Sequence, residues 1–467
     1  MKSTRSPHSR FAPITFSIVV VLAMVTLPKS ARLEAADADW KAGLASIKIS
    51  PDKPVMLAGY ASRNHPFDRI ETDIFAKALA LEDTNGYRAV VITTDLVGLA
   101  ARVSEPICER IEKKTGLKRE QILINSSHIH TGPTLDLSEL RRGSFSEQDA
   151  KNTAEYTRQL QDKLVEVAER ALSQMQPARL SWSSGVAHFA MNRREFTTNG
   201  VILGVNARGP VDRSVPVLRI DSPDGKPRAV IFGYACHNTT LTQNDYMLCG
   251  DYAGYAQNFV EQRYGGVQAM FVIGCAGDAN PYPRGNLEIS REHGNALGTE
   301  VCRVMETKLR PIHGPLRCMF DFAALPLEQN SREQLEKLAR EGNSLQKDTA
   351  KQMVAALDRG ESLLKEYRAP TAVWQFGNDL TFVGMSGEVV VDYVPMIERA
   401  LGPLQLWISA YCNDVFGYVP SARTLREGGY ETRGIYTTNG WFTPQAQDVL
   451  VEKVRELAEK AGRKPAR

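Results

Sequence analysis

The sequence has few cysteines, and no two of them are spaced as a metal or redox pair. Seven cysteines in 467 residues are too few for a disulfide-dependent scaffold. Because their number is odd, at least one thiol stays unpaired. The absence of a Cys-x-x-Cys pair disfavours a cysteine-based zinc or redox site. The sequence does not say whether any bridge forms among Cys108, Cys236, Cys249, Cys275, Cys302, Cys318 and Cys412.

Long apolar runs are also absent, except near the N-terminus. Three basic residues precede the apolar segment 11–27, and small residues follow it from Ser30 to Ala38. This pattern is typical of an export signal, to which we assign residues 1–35. An uncleaved N-terminal anchor is the alternative, because about 17 apolar residues is the lower limit for a membrane span. We therefore expect a periplasmic, secreted or cell-surface protein.

Neither sign of charge is in excess. The formal net charge is +3, and residues 1–30 contain four basic residues and no acidic one, so the mature chain carries −1. A near-neutral protein has no electrostatic reason to bind nucleic acid. The sequence contains no internal repeat and no proline- or serine-rich linker. We therefore expect one large domain over residues 40–467.

Apolar runs of strand length alternate with longer helical patterns. Strands at 75–81 and 89–95 flank a turn at 83–86 and predict a hairpin. Residues 327–369 are rich in charge and predict a helical insertion of two antiparallel surface helices joined near Asp348. The whole pattern predicts an α/β fold of mixed β-sheets flanked by helices. Further strands are predicted at 215–221, 228–235, 270–274, 372–376 and 380–384, and helices at 104–114, 152–175, 290–308 and 443–461.

A histidine pair follows one of the predicted buried strands. His128 and His130 come after the apolar run 121–124 and before Gly132-Pro133. In an extended backbone alternate side chains share a face, so we expect both imidazoles on the same side. Two imidazoles at the end of a strand make half of a metal site, whereas a single histidine there is more often structural.

Polar side chains also stand at four other predicted strand ends: His237, Asn280, Glu388 and Tyr418. Taken singly, each has a plainer interpretation: a structural histidine, a tight turn, an acid at a helix start and a packed tyrosine. In open α/β sheets, however, such loops collect along one edge, where ligands bind. Two histidines and one glutamate form a common zinc set that leaves a position for water, whose pKa zinc lowers to about 7. We expect the active site at these strand-end loops.

From Gly59-Tyr60-Ala61 to about Glu431, the chain resembles the catalytic domain of the neutral/alkaline (non-lysosomal) ceramidase family. These are secreted or cell-surface zinc amidases that cleave the amide of ceramide. The family's motifs match Ser127 to Pro133, the His-x-Thr step at His237, the Gly-Glu step at Glu388 and the Gly-Tyr-Val step at Tyr418. The resemblance implies Zn²⁺ as the cofactor, with ligands His128, His237, Glu388 and Tyr418.

The resemblance also implies a set of residues that act on the substrate. His130 would lie beside the metal, Arg193 matches the arginine of the family's Asn-Arg pair, and Tyr430 stands twelve residues after Tyr418 as in the family. The family has a serine, proposed as catalytic, where this chain has Asn280. An amide side chain cannot be a nucleophile, but it can orient water or donate a hydrogen bond to an oxyanion.

These features predict an exported zinc-dependent hydrolase of an amide (N-acyl) bond, in which zinc-bound hydroxide attacks the carbonyl. The substrate would be a small molecule or a lipid-like acyl compound, as in sphingolipid metabolism, and peripheral contact with a membrane is compatible with it. We expect no C-terminal β-sandwich domain of the kind that follows the catalytic domain in well-studied ceramidases. The alternatives are a zinc hydrolase of a different acyl substrate, such as an ester or a small N-acyl conjugate, and a non-catalytic ligand-binding homologue.

Overall fold

A nine-stranded mixed β-sheet forms the centre of the fold. The computed structural model describes residues 38–136, 145–437 and 440–464, which belong to one compact unit. The predicted export signal at residues 1–35 lies outside the described residues.

The described residues contain twenty β-strands. The strands are β1 Trp40–Lys48, β2 Arg69–Ile70, β3 Phe75–Asp83, β4 Arg88–Thr94, β5 Ile122–Ser126, β6 Gln176–Val186, β7 Ala190–Thr197, β8 Gly200–Asn206, β9 Ser214–Asp221, β10 Pro227–Tyr234, β11 Met247–Leu248, β12 Gln268–Ile273, β13 Ala279–Pro281, β14 Arg310–Ile312, β15 Leu316–Pro326, β16 Glu366–Phe376, β17 Leu380–Met385, β18 Glu388–Val389, β19 Leu406–Ser409 and β20 Tyr418–Val419.

Nine α-helices occur in the same described part of the chain. The helices are α1 Ala101–Thr115, α2 Glu147–Ser173, α3 Asp251–Arg263, α4 Leu287–Met305, α5 Arg332–Glu341, α6 Ser344–Asp358, α7 Tyr393–Leu401, α8 Ala422–Glu427 and α9 Ala446–Lys460. None of the helices in the described residues is long and apolar enough to cross a membrane.

Two sheets pack face to face. The large sheet has the strand order β12-β10-β9-β6-β1-β3-β4-β5, with β14 paired to β6, and the second sheet has the order β15-β16-β17-β19. Between them lies an apolar layer to which the large sheet contributes Leu79 and Ile231 and the second sheet Trp374 and Trp407. Burial of such side chains is the main force that holds two sheets together.

Helices cover the outer faces of both sheets. Helices α1 and α2 pack on the large sheet through apolar side chains such as Ile107 and Leu164. Helices α3 and α4 cover the part of that sheet around β10 and β12, and α7 and α9 lie against the second sheet. The predicted class, one α/β domain of mixed sheets flanked by helices, is confirmed.

The two helices between β15 and β16 are connected at a different residue from the predicted one. Helix α6 begins after Asn343, whose side chain accepts a hydrogen bond from the backbone N–H of Gln346. The Gln346 side chain in turn accepts from the N–H of Asn343, which completes a capping box. The two helices are therefore joined at Gly342 and Asn343, and the expected joint near Asp348 is wrong because Asp348 lies inside α6.

The large sheet also sets the position of the functional loops. Strands β4 and β5 are parallel, as are β10 and β12. Although β5 and β12 stand at opposite ends of the strand order, Asn125 near the end of β5 accepts a hydrogen bond from the backbone N–H of Ile273 at the end of β12, so these carboxyl ends lie close together. Isolated bridges join the loops beyond these ends, between Ile129 and Asn238 and between Asn125 and Cys412. The predicted hairpin is confirmed as β3 and β4. All seven cysteines are buried and free.

Candidate metal centre

His128 lies two residues beyond the end of β5 in a left-handed backbone conformation, with φ of 64°. A residue other than glycine in this region costs of order 1–3 kcal/mol, and such strain concentrates at functional sites. The expectation that His128 and His130 share a face by simple strand alternation is wrong, because β5 ends at Ser126. The two rings meet across a backbone turn instead, with their Nε2 atoms 3.1 Å apart.

The backbone determines which nitrogen of each key histidine carries a proton. The Nδ1 atom of His128 is 2.6 Å from the carbonyl oxygen of Val97, and that of His237 is 2.7 Å from the carbonyl oxygen of Ala276. A carbonyl oxygen can only accept, so both Nδ1 atoms donate and both Nε2 atoms keep a lone pair. Burial and the nearby Arg193 guanidinium lower the pKa of His237 to about 3, so this ring is neutral.

Glu388 reaches the same point from the second half of the chain. It stands in β18, which pairs in parallel with β20 so that Glu388 is opposite Tyr418. Gly387 precedes it with φ of 77°, and a Cβ atom there would lie 2.7 Å from the Val419 side chain. Glu388 is therefore a buried carboxylate in an extended segment, not an acid at a helix start.

The donor atoms of these residues fit a metal ion. Oε2 of Glu388 lies 3.1 Å from Nε2 of His128 and 3.2 Å from Nε2 of His237. It is buried and accepts no hydrogen bond from the described residues. Since both facing nitrogens carry lone pairs, neither donates a proton to the carboxylate oxygen, although Nε2 of His237 also accepts a hydrogen bond from Arg193. A cation relieves the repulsion among these electron-rich atoms, and two imidazole nitrogens with one carboxylate oxygen suit Zn²⁺.

His130 belongs to the same cluster. Ligand atoms of His128, His130 and His237 all lie within 4.8 Å of one another. The Nδ1 atom of His130 has no hydrogen-bond partner among the described residues, and the Tyr60 ring packs edge-on against the imidazole with centroids 4.9 Å apart. Burial lowers the pKa of His130 well below its usual value. The His130 ring is thus neutral and keeps one nitrogen for a ligand.

Arg193 connects the predicted catalytic residues to one another. Its Nη2 atom donates to the Tyr418 hydroxyl at 2.8 Å, and its Nη1 atom donates to Nε2 of His237 at 3.0 Å and to Oδ1 of Asn280 at 3.3 Å. Its Nε atom donates to Oε1 of Glu431 at 2.8 Å. The Arg193 guanidinium therefore has its orientation set by four neighbours.

The remaining predicted residues lie around the same centre. The rings of Tyr418 and Tyr430 have centroids 5.5 Å apart, and Asn280 also accepts from the Thr239 hydroxyl at 3.3 Å. The structure therefore brings together all eight predicted site residues: His128, His130, Arg193, His237, Asn280, Glu388, Tyr418 and Tyr430. A cavity of about 710 Å³ opens beside them, and it is lined by His128, His130, Glu388, Tyr418 and Tyr430 among others.

The sequence matches the N-terminal part of the neutral/alkaline non-lysosomal ceramidase family over residues 43–356. This chain belongs to that ceramidase family. It is 26% identical over 278 residues to a neutral ceramidase of Pseudomonas aeruginosa, covering 56% of this chain and 40% of the relative. It is also 26% identical over 245 residues to neutral ceramidase B of Dictyostelium discoideum, covering 50% of this chain and 34% of the relative. The chain thus matches well under half the length of these curated ceramidases.

The ceramidase fold extends further along the chain than the sequence match. The crystal structure of the neutral ceramidase from Pseudomonas aeruginosa superposes with a TM-score of 0.69 at 19% identity, covering 92% of this chain and 76% of the other. Glu388, Tyr418 and Tyr430 lie beyond the family match. Their assignment rests on the convergence of side chains described above.

Sequence reasoning missed three residues that complete the centre. Glu431 binds both Arg193 and Arg194, with Oε2 accepting from Nη1 of Arg194 at 2.7 Å. The Tyr436 hydroxyl donates to Oε1 of Glu388, and Arg433 donates to the Tyr430 hydroxyl at 2.6 Å. The only feature of the sequence that could have pointed to them is their closeness to predicted site residues: Glu431 and Arg433 follow Tyr430 closely, and Arg194 follows Arg193.

Proposed function

We propose that this protein is an exported zinc-dependent hydrolase that cleaves the amide bond of an N-acyl substrate. The observation that carries the proposal is the buried Oε2 atom of Glu388, which faces the Nε2 lone pairs of His128 and His237 without a hydrogen-bond donor. His128, His237 and Glu388 would hold the ion, and the Tyr418 hydroxyl is the fourth candidate ligand. A zinc ion in such a site supplies a Lewis acid and lowers the pKa of a water molecule to about 7.

The chain's own residues would position the acyl group and stabilise charge on its oxygen. His130 and Tyr430 line the cavity, and the unpartnered Nδ1 atom of His130 can exchange a hydrogen bond with a substrate. The Arg193 guanidinium, oriented by Glu431, places a fixed positive charge behind Tyr418. Preorganised donors of this kind lower the energy of a developing oxyanion without reorganising during the reaction.

Asn280 supports a substrate other than ceramide as the second candidate. Its Oδ1 atom accepts from Arg193 and Thr239, so the side chain is held as a hydrogen-bonding group. Its Nδ2 atom donates to no acceptor among the described residues, so it can donate a hydrogen bond to a substrate oxygen. An ester or a small N-acyl conjugate is compatible with such a donor, and a ligand-binding protein without turnover is the third candidate.

Metal analysis of the purified protein is the first test. We expect about one zinc per chain in the wild type and loss of zinc in His128→Ala and Glu388→Gln, because structural and catalytic zinc sites need each ligand. Glu398→Gln is a matched control, since Glu398 lies outside this cluster. Less than about 0.2 zinc per chain, unchanged by His128→Ala, would contradict the metal assignment.

Activity is the second test. Ceramide, shorter N-acyl amides and acyl esters are offered to the enzyme with and without a chelator. Chelator-sensitive release of fatty acid from an amide supports the main proposal, and release only from esters supports the second candidate. Zinc binding without turnover on any substrate supports the third. N-terminal sequencing of the exported protein tests cleavage of the leader within residues 30–38.

A further inference from the structure

Two arginines that line the cavity have neither a carboxylate within ion-pair distance nor a backbone carbonyl acceptor among the described residues. Arg433 follows the short 3₁₀ turn Tyr430–Thr432, and Arg102 lies in the first turn of α1. Both side chains line the cavity that contains the candidate metal ligands. An arginine keeps its charge at every physiological pH, so these two guanidinium groups are permanent cations facing the ligand space.

Arg433 is held in place by neutral groups. Its Nη1 atom donates to the Tyr430 hydroxyl at 2.6 Å. Its Cζ atom lies 5.0 Å from the ring centroid of Tyr430 and 5.2 Å from that of Tyr436. Aromatic rings fix a guanidinium without neutralising it, and they leave most of its five N–H groups for another acceptor.

The other arginines around the centre have carboxylate or backbone carbonyl partners, although the Nε atoms of Arg63 and Arg194 have no acceptor. Glu431 forms ion pairs with Arg193 and Arg194. Arg63, which also lines the cavity, donates to four backbone carbonyl oxygens, those of residues 58, 130, 242 and 245. Arg433 and Arg102 therefore differ from these neighbours, because no carboxylate or backbone carbonyl oxygen among the described residues accepts from their guanidinium groups.

Arg102 lies at the start of α1, where the Asp414 carboxylate accepts from the N–H of Ala101 and Arg102 acts on Asp414 at longer range. A positive charge in the first turn of a helix opposes the helix dipole, and α1 has no acidic residue in that turn. The Arg102 side chain is exposed toward the cavity. The positive charge of Arg102 can therefore interact with a ligand that enters the cavity.

The charge balance of the cavity lining favours an anion. Glu388 is the only acidic residue among the described lining residues, against Arg63, Arg102 and Arg433. Arg433 is close to the candidate metal centre, because it packs on Tyr436, whose hydroxyl donates to Glu388. The rest of the lining contains apolar side chains suited to an acyl chain: Val103, Leu135, Phe145 and Val415.

We propose that the substrate is an N-acyl amino acid, whose amine half carries a carboxylate that binds Arg433 and Arg102. This inference rests on the proposed amide hydrolysis. One water adds to the acyl carbon, the C–N bond breaks, the acyl group leaves as a carboxylate and the amine nitrogen takes up both protons of the water to leave as an ammonium group, with no change in oxidation state. The carboxylate of such a substrate lies on the amine side of the scissile bond, and Arg433 is the lining cation that packs on Tyr436 beside Glu388.

The test compares two amides that differ only in charge: N-dodecanoylglycine and N-dodecanoylethanolamine. For the zinc-loaded wild type we expect kcat/KM for the glycine conjugate to exceed that for the ethanolamine conjugate about 10- to 100-fold, since charge-assisted hydrogen bonds are worth that much. Arg102→Gln reduces this ratio through KM of the acid and leaves the neutral amide unchanged. Arg433→Gln also reduces the ratio, and because Arg433 holds the Tyr430 hydroxyl it lowers cleavage of both amides as well, whereas Arg433→Lys keeps part of the ratio. Arg208→Gln, an exposed arginine outside the cavity, is the control.

Equal or better cleavage of the neutral amide by the wild type overturns the proposal, as does a ratio that survives both glutamine substitutions. A preference for N-dodecanoyltaurine over the glycine conjugate would assign a sulfonate and contradict the carboxylate. If neither amide is cleaved, the proposed hydrolysis fails, and calorimetric binding of the same two amphiphiles decides the anion site. Tighter binding of the acid that is lost in Arg433→Gln supports the site, and equal binding of both overturns it.

Discussion

Replacing Glu431 by glutamine removes the one negative charge that two buried arginines share. Oε1 of Glu431 accepts from Nε of Arg193 at 2.8 Å, and Oε2 accepts from Nη1 of Arg194 at 2.7 Å. The three side chains are 1%, 5% and 1% exposed. Breaking a buried ion pair by removing one partner costs about 3–5 kcal/mol, because the remaining charge is left without compensation.

The two arginines differ in what they would retain. Arg194 keeps Glu427, at 3.1 Å, and the carbonyl oxygen of Gly428. Arg193 keeps only neutral acceptors, the Tyr418 hydroxyl, His237 and Asn280. Glutamine is the same size and retains one acceptor oxygen, so we expect the lower end of the range, about 3 kcal/mol. That is a large part of the roughly 5–15 kcal/mol by which proteins are stable.

Differential scanning calorimetry measures this effect. An unfolding entropy of about 2 cal/mol/K per residue over roughly 430 residues gives about 0.9 kcal/mol/K, so 3 kcal/mol lowers the midpoint by about 3 °C. Glu427→Gln is the matched control: its side chain is 23% exposed, and we expect a shift of less than about 1 °C. A Glu431→Gln midpoint within 1 °C of the Glu427→Gln midpoint would refute the reasoning.

Three further predictions concern the centre and its surroundings. Gly59→Ala should lower kcat/KM at least about tenfold, because a Cβ there would stand 2.4 Å from the His130 ring at a φ of 89°. Tyr436→Phe should weaken zinc binding, measured by chelator competition, about 10- to 100-fold, since it removes the hydroxyl that holds Oε1 of Glu388. Burial raises the pKa of Asp414 to about 6, so its protonated form stabilises the fold below about pH 4 and this contribution is lost as the pH rises through 6. Asp414→Asn should therefore remove on the order of 3 kcal/mol of this pH dependence, measured by urea unfolding at pH 4.5 and 7.

Each of these has a control in the same chain. Gly86 also has a positive φ, but no atom lies within 4 Å of a Cβ placed there, so Gly86→Ala tests backbone strain alone. Tyr282 is 50% exposed, and Tyr282→Phe should leave zinc affinity unchanged. The pKa of Asp224 is lowered to about 2 by hydrogen bonds from Ser222 and Lys226, so Asp224→Asn should not alter the slope above pH 4. Equal effects in variant and control would contradict the corresponding prediction.

The fold class and the residue types of the centre could be predicted because they depend on local pattern. Strand-length apolar runs ending in His237 or in the His128 pair are visible in the sequence, whereas the strand order, which places β5 and β12 at opposite ends of the sheet, is not. The family resemblance then assigned Glu388 and Tyr418, which lie beyond the region matched by the family. The joint of α5 and α6 was misplaced because two cap residues, not the charge pattern, set the start of α6.

The contacts between distant segments could not be predicted. Arg193 and Glu431 are 238 residues apart in sequence, and nothing near either residue indicates their pairing. The left-handed turn at His128 is imposed by the loops around it, since local preference opposes it. That Arg433 meets aromatic rings and a hydroxyl, and no carboxylate among the described residues, is likewise a property of the assembled cavity.

The sequence by itself determined which chemical groups this protein carries and that its strand ends present them, because strand pattern and side-chain identity are local. Only the tertiary structure decided how they work together. It fixed the tautomers of His128 and His237, because both Nδ1 atoms donate to backbone carbonyl oxygens and neither Nε2 atom then carries a proton toward Glu388. It neutralised Arg193 with Glu431 and left Arg433 uncompensated. The physical reason is that electrostatic balance depends on distance in space, and only packing sets that distance.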